Sequence, residues 1–68
     1  MDLEKFKSYI GKPVAVAIPH RFDENRYFYH FGKLISIDDD TLTVDTKNGL
    51  VFIPKEQIKQ LTVENERE

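Results

Sequence analysis

The sequence predicts a mainly β fold, in which a short N-terminal helix precedes five antiparallel strands rolled into a small, strongly bent barrel. Three observations carry this. Apolar and polar residues alternate with a period of two through Thr41-Leu42-Thr43-Val44-Asp45-Thr46, the pattern of a half-buried strand. The apolar runs are short and stop at turn-forming residues, namely Pro19, Asp38-Asp39-Asp40, Asn48-Gly49 and Pro54. Finally, Tyr27 to Ile37 is apolar on both faces and carries Gly32 in its middle. That combination suits a strand that bends so that its halves serve different parts of one sheet.

Leu3, Phe6 and Ile10 are spaced at i, i+3 and i+7, which predicts a helix over 2–10, capped by Asp2 and ended by Gly11. A helix this short does not stand alone, so it is expected to lie across an open end of the barrel. Strands are expected at about 13–18, 27–37, 41–46, 50–53 and 58–63. In the first, Val14, Val16 and Ile18 point to the core, while Ala15 and Ala17 take the other face. In the second, Leu34 continues the face of Phe28 and His30, and Ile35 and Ile37 continue that of Tyr27, Tyr29 and Phe31. In the third, Leu42 and Val44 point in, with Thr41, Thr43 and Asp45 out. Lys47-Asn48-Gly49 supplies a hairpin turn, and Pro54 to Gln57 one short helical turn. Residues 1–63 form one domain. Residues 64–68 have no apolar side chain and should fray.

At 68 residues the chain holds a single domain, one that buries only about 60% of its unfolded surface and gains from a partner subunit. Without cysteine there is neither a disulfide framework nor a thiolate metal site. No apolar run approaches the ~20 residues of a membrane span, and no signal peptide is evident. The expectation is a soluble cytoplasmic protein with no membrane association. Ten Lys and Arg against twelve Asp and Glu leave a formal charge of −2, which argues against broad binding to phosphate backbones through many basic contacts.

No catalytic set emerges. Ser8 and Ser36 fall on a helix and a strand, and no histidine–acid pair follows from spacing. His20 and His30 with Asp23 and Glu24 lack the spacing of a zinc site, and Asp38-Asp39-Asp40 reads as a solvated turn. The chain is therefore expected to be no enzyme, with no metal, cofactor or small-molecule substrate. The aromatics are more informative. Phe22, Tyr27, Phe28, Tyr29, Phe31 and Phe52 are more rings than so small a barrel can enclose. Beside Arg21, Arg26, His30 and Lys33, they suit stacking of bases with cations on phosphates. They equally suit the centre of a protein interface, and the acidic balance favours that second use.

The order Gly11-Lys12-Pro13-Val14, Gly32-Lys33-Leu34, acidic turn, Thr41-Leu42-Thr43-Val44 and Ile53-Pro54 with Ile58 resembles the Sm-like small barrels. The nearest likeness is to the C-terminal domain of bacterial ribosome maturation factors, through Phe6, Tyr9, Ile10, Gly11, Lys12 and Val14, then Gly32, Leu34, Asp38, Val51, Ile53, Pro54 and Ile58. An SH3-like barrel of different register and, less closely, an OB-fold are the neighbouring possibilities. The resemblance implies subunits joined edge to edge through the fourth and fifth strands, with Leu50, Phe52, Leu61 and Val63 at the contact, and work on RNA or ribonucleoproteins. Two positions depart from the family pattern. The uridine-reading Asp-x-x-Met-Asn turn is replaced by Asp38-Asp39-Asp40-Thr41-Leu42, and the Arg-Gly or Lys-His turn by Ile53-Pro54-Lys55. The combined expectation is a non-enzymatic Sm-like module that forms homo-oligomers and binds single-stranded RNA or a ribonucleoprotein. Arg21, Arg26, Tyr27, Tyr29, His30, Lys33 and Lys55 are the candidate contacts. The alternative is a homo-oligomeric assembly module with no RNA role.

Overall fold

The computed structural model describes residues 3–64; the expected Asp2 cap and most of the expected frayed tail, 65–68, lie outside the described residues. A 3-10 helix at Glu4–Tyr9 leads into β1 (Pro13–Pro19), β2 (Tyr27–Ile37), β3 (Thr41–Thr46) and β4 (Gly49–Pro54). A second 3-10 turn, Lys55–Gln57, then leads to β5 (Gln60–Val63). All neighbouring strands are antiparallel, in the order β4-β3-β2-β1-β5. The sheet bends around one core but stays open between β4 and β5, its two edges.

The core is built by the period-two pattern. Val14 and Val16 of β1, Leu34 of β2, Leu42 and Val44 of β3 and Ile53 of β4 are almost completely enclosed. Leu3, Ile37, Ile58 and Leu61 complete the cluster, with Phe6, Tyr9, Ile18, Val51 and Val63 packed against it. Each fully buried Val, Leu or Ile contributes about 1.5–3 kcal/mol relative to an exposed one.

Three details differ from the expectation. The N-terminal segment is a 3-10 helix rather than an α-helix, and Ile10 is exposed. The chain leaves the helix at Ile10 with extended backbone, and Gly11 takes φ +95°. The Gly11 N–H then donates to the Leu34 carbonyl (2.7 Å) and the Leu34 N–H to the Lys12 carbonyl (3.0 Å), so the exit is tied to β2 before another helical turn can form. Second, the β2–β3 register shifts between Leu34 and Ser36. This bulge at Ile35 adds a residue, so Leu34 and Ile37 both face the core and Ile35 points outward. Third, Thr43 is buried although it lies on the outer face of central β3, where Ser36 and Phe52 flank it in register.

Gly32 is required by contact rather than by φ. A Cβ there would collide with the Asp45 carbonyl oxygen and lie 2.8 Å from the Asp45 carbonyl carbon and 2.9 Å from Val44 Cγ1. The missing side chain lets the β3 backbone close onto β2 at the point where β3 pairing begins. The β3–β4 turn is held by Thr46, whose hydroxyl donates to the Gly49 carbonyl (2.8 Å) and accepts from the Asn48 N–H (3.1 Å). Gly49, at φ +117°, takes the left-handed position.

Candidate functional site: the aromatic overhang of β2

β1 and β2 pair along their length, from Pro13 opposite Lys33 to Pro19 opposite Tyr27. β3 joins β2 only from Lys33 onward. The first half of β2 therefore overhangs the sheet, with β1 on one side and no strand on the other. Its aromatic side chains emerge on both faces and lack the neighbouring strand that would cover them. Phe28 is 54% exposed, Tyr29 57% and Phe31 60%, while Tyr27 is 40% exposed.

On the outer face Tyr29 and Phe31 stand side by side, with ring centroids 6.1 Å apart and planes 20° from parallel. Lys33 follows them on that face, in register with Asp45. Between the overhang and the β3–β4 hairpin lies a notch of about 590 Å³ bordered by Tyr29, Phe31, Gly32, Thr46, Lys47 and Asn48. Lys47 is a cation that sequence reasoning missed, because only the folded hairpin carries it to β2.

The loop from His20 to Arg26 caps the overhang. The His20 N–H donates to the Arg26 carbonyl (2.9 Å) and the Arg26 N–H to the Asp23 carbonyl (3.0 Å). The Asp23 carboxylate accepts from the Asn25 N–H (3.0 Å), an Asx-type turn. The Phe22 N–H donates to His20 Nδ1 (3.1 Å). The His20 ring packs 5.0 Å from Phe28, and Phe22 stands 85% exposed with the Arg21 guanidinium 5.6 Å from its ring centre. These groups, with Ile18, Pro19 and Gln57, border an inner-face cleft of about 710 Å³ whose one charged residue is Arg21.

Of the candidate contacts, Arg21, Arg26, Tyr27, Tyr29, His30 and Lys33 fall on this loop and overhang, with His30 on the inner face and half-buried. Lys55 is elsewhere: its N–H donates to the Asp40 carbonyl (2.7 Å), and it borders a small pocket with Asp38 and Asp39 at the acidic turn. Leu50 and Phe52 are more than half exposed on the outer face of edge strand β4. Leu61 is 7% exposed and Val63 is half-buried against the core, so β5 offers its backbone edge rather than these side chains. Among the described residues, no three His, Asp or Glu side chains come together to hold a metal, and no helix is long and apolar enough to cross a membrane. No protein-family model matches the chain, and no solved structure matches it.

Proposed function

We propose that this protein is a non-enzymatic, Sm-like binding module that holds single-stranded RNA, free or within a ribonucleoprotein, on the overhang of β2. The observation that supports this reading is the set of exposed rings at Phe22, Phe28, Tyr29 and Phe31 alongside Arg21, Arg26, Lys33 and Lys47. Aromatic faces accept any base, each stack being worth about 1–3 kcal/mol, and the cations meet the phosphates. The acidic residues Asp38, Asp39 and Asp40 lie at the opposite end of β2. Arg21, Arg26, Lys33 and Lys47 share the overhang with Asp23, Glu24 and Asp45, so its cations are local phosphate contacts rather than a broad basic field. The lack of cysteine fits a reducing cytoplasm.

The test is fluorescence anisotropy with short uridine-rich and adenine-rich RNAs at two salt concentrations. Binding is expected in the micromolar range at low salt, weakening on a log–log scale as salt rises. The double variant Tyr29→Ala/Phe31→Ala should lose at least tenfold in affinity. Absence of binding at tens of micromolar protein in low salt refutes the RNA reading. The second reading, a homo-oligomeric assembly module, is favoured by one separate observation: Leu50 and Phe52 present apolar surface on β4, whose outer edge has no strand beside it.

A further inference from the structure

The free edge of the β2 overhang carries an inference independent of RNA binding and of any contact through β4 and β5. Backbone groups of successive strand residues point to opposite sides, so one known bond sets the direction of all the others. Leu34 directs its N–H and carbonyl toward the β1 side, to Lys12 and Gly11. Counting back, Gly32, His30 and Phe28 also face β1, whereas Phe31, Tyr29 and Tyr27 face away from it. The two prolines of β1 agree, because Pro13 and Pro19 lie opposite Lys33 and Tyr27, positions that need no N–H from β1. Lys33, of the same parity, meets β3 at Asp45, but Tyr27, Tyr29 and Phe31 have no strand on that side. Among the described residues, no turn or loop backbone group bonds to them either.

This edge has none of the usual guards. From Tyr27 to Phe31 there is no lysine, acid, proline or bulge, whereas natural edge strands are normally blunted by such features. The β4 edge ends in Pro54, and β5 is only four residues long with Gln60 and Thr62 along it. The β2 edge is the one poised to accept another strand.

We propose that the β2 overhang pairs antiparallel with the same segment of a second copy, about a two-fold axis at Tyr29. Tyr29 then exchanges both backbone bonds with the partner's Tyr29, and Tyr27 does so with the partner's Phe31. Parity makes this register consistent, since all three residues direct their backbone groups outward. The side chains are self-complementary as well. Ring faces ring at every step, with Tyr27 against Phe31, Phe28 against His30 and Tyr29 against itself, and Arg26 falls opposite Gly32, so no like charges meet. A peptide of unrelated sequence would lack that symmetry. The notch beside Lys47 and Asn48 leaves room for the incoming chain.

The area sets the strength. At ~200 Å² per ring, the exposed parts of Tyr27, Phe28, Tyr29 and Phe31 offer at most about 400 Å² per protomer. The pair therefore buries less than the ~1,200–2,000 Å² of stable complexes, and the dimer is weak and concentration-dependent. Because strands join in the plane of the sheet, Tyr29 and Phe31 keep their outer faces open, and two such pairs form one platform.

Sedimentation velocity on the full chain, without RNA, should show monomer at low micromolar concentration and dimer approaching millimolar. Amide hydrogen exchange across the same range should slow at Tyr27, Tyr29 and Phe31 only as concentration rises. Phe28 and His30, bonded to β1, should be protected throughout. Tyr29→Pro removes an outward N–H and leaves the β1 ladder intact, so it should abolish the dimer, whereas Phe52→Lys should leave it in place. A protein that stays monomeric at millimolar concentration overturns the proposal. So does association that Phe52→Lys abolishes, or exchange that slows without this alternation. The alternation is read on the wild-type chain, so it decides the matter even where Tyr29→Pro does not fold.

Discussion

Gly32→Ala is the most direct test of how the overhang and the barrel are joined. Gly32 has no left-handed backbone requirement, so unfolded-state entropy alone predicts that alanine stabilises by about 0.4–1 kcal/mol. The structure predicts the opposite sign. The new methyl would collide with the Asp45 carbonyl oxygen and press on the carbonyl carbon at 2.8 Å and Val44 Cγ1 at 2.9 Å. Two of these three atoms are backbone, in the strand that pairs Lys33 with Asp45, so relief means moving β3. Overpacking of this kind costs about 1–3 kcal/mol, occasionally more, and set against the entropic gain of about 0.4–1 kcal/mol it leaves an expected net loss of about 1–2 kcal/mol. A 68-residue domain has roughly 3–10 kcal/mol in total, and each kcal/mol shifts Tm by about 4–8 °C. Thermal and urea unfolding followed by far-UV circular dichroism should therefore show Tm lower by about 5–15 °C. An unchanged or raised Tm would refute the close β2–β3 approach and, with it, the point at which the overhang begins.

Two further substitutions separate core from surface. Leu42→Ala removes a fully enclosed side chain from central β3 and should cost about 2–5 kcal/mol, visible in the urea midpoint. Thr46→Val deletes the hydroxyl that bonds both the Gly49 carbonyl and the Asn48 N–H in an exposed turn. It should cost about 1 kcal/mol, lowering Tm without changing the urea m-value.

The strands were legible because their patterning is local. β2 and β3 occupy 27–37 and 41–46 as expected, since period-two alternation ends at proline, aspartate or glycine, and these act within a few residues of themselves. The core residues Val14, Val16, Leu42 and Val44 follow from the same alternation, whereas alternation alone left open which face of β2 and of β4 turns inward, so Leu34 and Ile53 were not assigned by it. The bulge at Ile35 was not legible. One added residue reverses the faces of everything after it, and nothing in Leu34-Ile35-Ser36-Ile37 marks which residue is extra. The excess of rings over core volume was visible in composition, but which rings remain open depends on where β3 stops along β2.

By itself, then, the sequence determined a mainly β chain, the extent of β2 and β3, the inward residues of β1 and β3 and a surplus of aromatic residues. The last strand begins at Gln60 rather than at the expected residue 58. Tertiary structure alone decided that Lys47 joins the overhang while Lys55 sits at the acidic turn, that Leu61 turns inward, and that Tyr27, Tyr29 and Phe31 present an unpaired edge. The physical reason is range. Side-chain alternation is a property of adjacent residues, whereas an open edge exists only because β3 is shorter than the strand it joins.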